Sequence, residues 1–229
     1  MIGIRYSNER GAADHEWLQS QHTFSFAGYH DPEHVGVSVL RVINDDKVTP
    51  GNGFATHSHR DMEIISYVKK GTIEHKDSMS HVKILPAGEF QLMSAGTGVT
   101  HSEYNPSDTE ALEFLQIWIQ PDVHGIKPGY QQKQFARSEG LQLIVSPDAR
   151  KGSLLIHQDA CLYQLQLNAE QFASLPLEPG RTVYVHVVSG AISVNNEQLR
   201  EGDGATVKDV DVLEFAGMKN SEALIFDLP

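Results

Sequence analysis

Short strand-like runs, each followed by turn-forming residues, dominate this sequence. VGVSVLRVI, EIISYVKK, SHVKIL, EFQLMSA and ALEFLQIWI occupy residues 35–43, 63–70, 80–85, 89–95 and 111–119. Between them stand Gly, Pro, Asn and Asp residues, which break strands and form tight turns. Many short strands at regular spacing predict a β-sandwich or β-barrel.

Helical signals are few. DHEWLQSQ has Asp14 as a cap, which predicts two helical turns near the start of the chain. NAEQFASL places Gln171 three residues after Asn168, the spacing of a capping box. We therefore predict an all-β chain with little helix.

A polar segment marked by Pro and Gly, residues 121–140, separates two series of strand-like runs. The two series resemble each other: YVKKGTIEH (67–75) is similar to VHVVSGAISV (185–194), and a Gly-containing turn follows each. This similarity predicts a duplicated β unit, with domains at 1–130 and 131–229. We align HSH and HSE of the first copy with LYQLQ and AGMKNSE of the second, which contain no histidine.

Two pairs of metal-binding residue types share one spacing. His57 and His59 stand one residue apart, and so do His101 and Glu103. Residues i and i+2 of a strand point to the same face, so each pair offers two adjacent ligands. If the two strands face each other, three imidazoles and one carboxylate converge on one point. Such a donor set with open positions binds Fe(II), Mn, Ni, Co, Cu or Zn, and ligand identity does not separate these metals.

Glu63 competes with Glu103 for the carboxylate position. It lies six residues after His57, so it shares the face of His57 if the strand stays regular. We favour Glu103 because it needs no strand distortion to share the metal of His101. Glu63 is then a hydrogen-bond acceptor for a ligand imidazole. His22 and His75 carry weaker signals, and we assign them structural places.

The net charge of −12 argues against nucleic-acid or anionic-membrane binding through phosphate groups. The single cysteine, Cys161, excludes an intrachain disulfide. The sequence shows no signal-peptide pattern and no apolar stretch long enough to span a membrane. From these features we expect a cytoplasmic protein, and we expect it to be monomeric.

Two motifs of the cupin superfamily fit parts of this chain. Gly51, His57, His59 and Glu63 follow G-x5-H-x-H-x3-E, and His101 lies in the G-x2-H-x3-N end of the second motif. Longer strings resemble the pirin family of bicupins over about residues 1–125: HTFSFAGYHDP, LRVINDD, HSHRDMEIISYV, GTIEHKDS, MSAGTGVTHSEYN and LQIWIQP. The similarity is greatest to the bacterial pirin-like proteins that are described as quercetin 2,3-dioxygenases.

The resemblance implies two antiparallel β-barrel domains, with a metal only in the first. It implies one divalent transition metal, Fe(II) before the others, held by His57, His59, His101 and Glu103. The implied activity is O2-dependent cleavage of a flavonol with release of CO, in which Glu103 also accepts a proton. The alternative is a non-enzymatic metal- or redox-sensing regulator that binds a protein partner, as eukaryotic pirins are described.

Overall fold

The computed structural model describes residues 1–229 and contains 22 strands and two 3-10 turns of three residues each. The predicted all-β class with little helix is confirmed. The structure has no helix with the length and apolar composition that a membrane crossing requires. The strands are β1 (Ile2–Arg5), β2 (Gly11–Asp14), β3 (Leu18–His22), β4 (Leu40–Val48), β5 (Gly53–His59), β6 (Glu63–Lys70), β7 (Thr72–Asp77), β8 (Val82–Pro86), β9 (Glu89–Ser94), β10 (Val99–Tyr104), β11 (Leu112–Ile119), β12 (Gly129–Gln134), β13 (Gly140–Ser146), β14 (Leu154–Leu155), β15 (Cys161–Leu167), β16 (Phe172–Pro176), β17 (Thr182–Ser189), β18 (Ala191–Val194), β19 (Glu197–Arg200), β20 (Gly204–Lys208), β21 (Val212–Gly217) and β22 (Ser221–Leu228).

The chain forms two compact units. The first, here the N-terminal unit, comprises residues 11–135 and 156–158. The second, here the C-terminal unit, comprises residues 1–10, 136–155 and 159–229. Each unit contains one seven-stranded and one four-stranded sheet.

In the N-terminal unit the large sheet has the order β12-β9-β6-β11-β4-β3-β2, and the small sheet has the order β5-β10-β7-β8. Strand β6 lies between two neighbours and is buried over most of its length, in keeping with its mostly apolar run EIISYV. Ile73 and Leu85 of the small sheet pack with Val68 and Phe114 of the large sheet. The two sheets therefore face each other across a shared core.

The C-terminal unit repeats this arrangement strand for strand. Its large sheet contains β20-β17-β22-β15 where the N-terminal unit has β9-β6-β11-β4, and its small sheet has the order β16-β21-β18-β19. Strands β4–β11 thus correspond to β15–β22, and the predicted duplication is confirmed. The alignment of HSH with LYQLQ is wrong, because LYQLQ lies in β15 and the counterpart of β5 is β16.

Both helix predictions are wrong. DHEWLQSQ forms the turn and second strand of a hairpin, in which β2 pairs with β3. Ser20 and His22 are buried while Gln19 is exposed, which is the two-residue alternation of a strand. In NAEQFASL the backbone N–H of Asn168 donates to Gln171 Oε1 at 2.7 Å, but this contact closes a turn before β16.

The polar segment 121–140 is not wholly irregular. It contains β12, which extends the large sheet by pairing with β9. The sequence GYQQKQ gives no strand signal because its side chains are half-exposed or exposed on both faces. At the other end of the chain, β1 pairs with β20 of the C-terminal unit.

Candidate metal centre

Two neighbouring strands of the small sheet carry the predicted ligand residues. Strands β5 and β10 pair antiparallel, with His57 directly opposite His101. Strand β5 holds one extra residue between Phe54 and His57, which is a β-bulge, whereas β10 stays in regular register with β7. His101 and Glu103 therefore point to one face, and both are buried.

Three imidazole nitrogens converge at this point. His101 Nε2 lies 3.0 Å from His57 Nε2 and 3.1 Å from His59 Nε2. In the bulge, His57 Nδ1 lies 2.8 Å from the Ala55 carbonyl oxygen. This contact places the His57 proton on Nδ1 and leaves the Nε2 lone pair for the cluster.

Burial and neighbouring imidazoles keep His59 and His101 uncharged. Burial, with the charges of His101 and His57, lowers the pKa of His59 to about 4. Burial, with the charges of His57 and His75, lowers the pKa of His101 to about 3. At neutral pH both rings are neutral, which is the form that binds a metal.

This donor set fits a single metal ion. Two ligand nitrogens at right angles around an ion, each at about 2.1 Å, lie about 3 Å apart. The two Nε2 separations in the cluster match that distance. Protons alone fit the cluster poorly, because one N–H of His101 Nε2 can point at only one of the two imidazole nitrogens that lie close to it.

Glu103 reaches from the small sheet to polar side chains of the large sheet. Ser66 Oγ donates to Glu103 Oε1 at 3.1 Å, and Gln116 Nε2 donates to Oε2 at 2.6 Å. A carboxylate oxygen has two lone pairs, so these bonds leave acceptor capacity on both oxygens. The Glu103 carboxylate also lies within 4.8 Å of ligand-type nitrogens of His101 and His75.

His75 is closer to the site than its sequence signal suggested. It is fully buried on β7, opposite Glu103, and its Nε2 lies 3.1 Å from Asp77 Oδ2. His81 Nδ1 shares the same oxygen at 2.9 Å. Burial alone would raise the pKa of Asp77, but hydrogen bonds with His75 and His81 outweigh it and lower that pKa. The HxD spacing of His75 and Asp77, which places both side chains on one face of a strand, was the sequence feature that could have predicted their place at the site.

Glu63 lies on the large sheet and contacts other residues. Ser94 Oγ donates to Glu63 Oε2 at 2.9 Å, and His157 Nδ1 lies 3.5 Å from Oε1. No ligand imidazole contacts the carboxylate, so the expected hydrogen bond from a ligand imidazole to Glu63 is not present. Burial raises the pKa of Glu63, although Ser94 and His157 oppose the shift.

The cluster opens onto a cavity of about 1200 Å³. His57, His59 and Glu103 line it, and the His59 ring meets the Trp118 ring edge-on with centroids 5.0 Å apart. Aromatic side chains supply much of the remaining wall: Trp17, Phe26, Tyr29, Phe54 and Trp118. Apolar walls with a few convergent polar groups are typical of a small-molecule site.

Comparisons with known proteins agree with this geometry. A Pirin family model matches residues 3–119, and a model described as the quercetinase C-terminal cupin domain matches residues 143–228. A protein of Escherichia coli K12 named quercetin 2,3-dioxygenase is 50% identical over 229 residues, covering 100% of this chain and 99% of its own.

Two solved structures share the fold throughout. The crystal structure of YhhW from Escherichia coli has 50% identity and a TM-score of 0.99, and the match covers 100% of this chain and 98% of that one. The bacterial pirin YhhW in complex with nickel(II), at 50% identity, has a TM-score of 0.97 and coverage of 100% and 99%.

Proposed function

The chain belongs to the pirin family of cupins, and on that premise we propose that it is a metal-dependent dioxygenase acting on a flavonol of the quercetin class. The observation that carries the proposal is the convergence of three Nε2 atoms within 3.0–3.1 Å on the wall of an aromatic cavity. A relative with 50% identity over the whole chain bears the name quercetin 2,3-dioxygenase, which supports this substrate class.

His57, His59, His101 and Glu103 would hold one divalent transition metal. We propose Fe(II) as the metal in the cell, and nickel(II) is a second candidate because a relative with 50% identity was solved in complex with it. A metal bound there would act as a Lewis acid that lowers the pKa of a flavonol hydroxyl and would bring dioxygen and substrate together.

Glu103 has a second role in this proposal. Its carboxylate faces the cavity and retains acceptor capacity beyond its bonds to Ser66 and Gln116. It therefore accepts the proton of the flavonol hydroxyl. Because Glu103 is buried, this transfer takes place away from bulk solvent. Ser66 and Gln116 fix the carboxylate so that the proton is received at a constant place.

The cavity walls orient the substrate. Trp17, Phe54 and Trp118 present flat apolar surfaces, which suit an aromatic ring system and exclude water from it. The overall reaction adds O2 to the flavonol, opens its central ring, and gives a depside and CO.

Oxygen uptake with quercetin tests the proposal. The protein is stripped of metal and reloaded separately with Fe(II), Mn(II), Ni(II), Cu(II) or Zn(II), and O2 consumption and CO release are measured. His57→Ala serves as the control that retains the cavity but lacks one donor. We expect metal-dependent uptake with CO release in the wild type and none in the variant.

The alternative function has a distinct outcome. If the protein binds one metal per chain but consumes no O2 with any of the five metals, the dioxygenase proposal fails for this substrate. A regulator that senses metal or redox state and binds a protein partner would then be the hypothesis to pursue.

A further inference from the structure

A row of polar side chains crosses the large sheet of the N-terminal unit, starting at the candidate metal centre. Ser66, Gln116, Asn44 and His22 lie side by side on β6, β11, β4 and β3, according to the strand register. All four are buried. Ser66 and Gln116 donate hydrogen bonds to Glu103. Asn44 and His22 line the cavity further from Glu103.

Asp46 and Ser20 lie beside the Asn44–His22 end of this row, two residues along the same two strands. They are directly opposite each other on β4 and β3 and are 4% and 2% exposed. Both line the cavity, together with His22 and Asn44. Asp46 interacts with the Ser20 hydroxyl, but its Oδ1 has no hydrogen-bond partner.

An unpartnered oxygen of a buried carboxyl group is costly in a folded protein. Leaving such a group unsatisfied destabilises the fold, so its presence in the cavity wall points to a ligand that supplies the missing hydrogen bond. Burial raises the pKa of Asp46 to about 7, and the nearby charges of Asp45 and Glu103 contribute to the increase. Near neutral pH the group is therefore partly a carboxylic acid, which can donate as well as accept a hydrogen bond.

His22 complements this carboxyl group. Its Nδ1 lies 2.9 Å from Asn44 Oδ1, which leaves Nε2 for another partner. The His22 ring packs against Phe26 and Tyr29, with centroid distances of 5.3 and 6.4 Å. Polar atoms and aromatic faces thus occur together at this end of the cavity.

We propose that Asp46, Ser20 and His22 form a polar subsite that hydrogen-bonds the hydroxyl groups of an aromatic substrate at the end remote from the metal. Asp46 lies on β4, one strand spacing and two residues from Gln116, which places it roughly 8 Å away, and Ser20 and His22 lie one strand spacing further on β3. The subsite selects polyhydroxylated aromatic ligands over bare ones. This inference rests on the proposed function for the orientation of the substrate.

Ligand binding without turnover tests the subsite. The protein is loaded with Zn(II) and kept without oxygen, and the ligands are quercetin and 3-hydroxyflavone, which keeps the 3-hydroxyl and 4-carbonyl but lacks the other hydroxyl groups. Both tryptophans of the chain, Trp17 and Trp118, line the cavity, so quenching of tryptophan fluorescence reports binding there.

The variants separate hydrogen bonding from packing. Asp46→Leu removes the polar group, and Asp46→Asn keeps a donor and an acceptor of the same shape. Asp45→Leu is the matched control, because Asp45 lies on the same strand, faces away from the cavity and pairs with Lys69. For quercetin we expect about tenfold weaker binding to Asp46→Leu and a change within about threefold for Asp46→Asn and Asp45→Leu.

The bare ligand supplies the decisive comparison. Binding of 3-hydroxyflavone to Asp46→Leu should change by less than about twofold, since this ligand has no hydroxyl group for the subsite. An equal loss for both ligands, or no loss for quercetin, would overturn the subsite. If the wild type consumes no O2 with quercetin yet binds it in an Asp46-dependent manner, the proposed function fails and the subsite stands.

Discussion

The two units have the same strand order but use their interiors differently. In the N-terminal unit the inward positions of β10 include His101 and Glu103, whereas in the C-terminal unit the inward positions of β21 are Leu213 and Phe215. Strands β16 and β21 contain no histidine. One topology thus supports either a polar site or a hydrocarbon core, and the side chains at a few inward positions decide which.

The core of the C-terminal unit is continuous where the N-terminal unit has a cavity. Leu175, Leu213 and Phe215 join the same buried cluster as Val185 and Ile225. This cluster draws on both sheets of the unit, so apolar side chains fill the interior between them. The N-terminal unit thus has less apolar burial at its small sheet and contains a cavity instead.

The largest expected effect comes from removing a ligand histidine that the N-terminal unit has and the C-terminal unit lacks. His101→Ala deletes the imidazole shared by both close Nε2 pairs, so bound metal should fall at least about tenfold. His186→Ala, which removes a buried histidine of the C-terminal unit, should keep its metal. Metal content per folded chain after loading and gel filtration measures both. Equal metal retention by the two variants would contradict the assignment of the metal to the N-terminal unit.

Glutamine substitutions at the two candidate carboxylates test which of them carries the chemistry. Glu103→Gln should lower quercetin turnover by at least about 100-fold, because it removes the proton acceptor. Glu63→Gln should remain within a few-fold of wild type, because Glu63 contacts Ser94 and His157 instead of the cluster. Steady-state O2 uptake measures both. Loss of metal only in Glu63→Gln would transfer the ligand role to Glu63.

Support of Glu103 by the large sheet predicts an intermediate effect. Gln116→Leu removes the 2.6 Å hydrogen bond to Glu103, and metal affinity should weaken by about ten- to hundredfold. Gln164→Leu breaks a similar bond, from Gln164 Nε2 to Glu222 Oε1, in the C-terminal unit, and should leave metal affinity unchanged. Competition with a chelator gives both affinities. A similar loss in the two variants would point to a general effect on folding.

Stability against pH should also distinguish the units. The folded-state pKa of Asp46 is about 7 against an ordinary 3.8, so its stabilising contribution is complete below pH 4 and is lost as pH rises through 7. Asp46→Asn should therefore stabilise the metal-free protein by about 4 kcal/mol at pH 8.5 and by only about 2 kcal/mol at pH 5. Urea unfolding at the two pH values measures this. A gain that is the same at both would exclude ionisation of Asp46 as its cause.

The smallest expected effect concerns the only cysteine, in the C-terminal unit. Burial raises the pKa of the Cys161 thiol, although Arg150 Nη2 lies 3.2 Å from its sulfur and opposes the shift. We expect slow reaction with a thiol reagent, and unchanged metal content and turnover in Cys161→Ser. A clear loss of turnover would show that the C-terminal unit takes part in the chemistry.

Local periodicity accounts for what could be predicted from the sequence. EIISYVKK matches β6 residue for residue, because a short run rich in Ile, Val and Tyr that ends at a glycine turn is a local strand signal. The spacing of His57 with His59, and of His101 with Glu103, was likewise visible as two strand pairs. Their meeting required the pairing of β5 with β10, which followed from the motif and not from periodicity.

Other features depend on strands that are distant in sequence. Gln116 and Asp46 lie at the site only because β11 pairs with β4 and β6. No residue near either of them in the sequence predicts this pairing. DHEWLQSQ lacks a strong breaker, so its hairpin is set by the pairing of β3 with β4. His75 has the HxD spacing, but its burial beside Glu103 depends on β7 lying next to β10.

The pairing of β1 with β20 has a consequence for synthesis on the ribosome. All residues of the N-terminal unit have been synthesised once residue 158 is added. In contrast, β1 cannot complete its pairing with β20 until residue 207, the partner of Ile2, has been synthesised. The first strand to be translated is therefore among the last to find its partner. Such long sequence separation slows folding, so the N-terminal unit can fold while β1 is still unpaired.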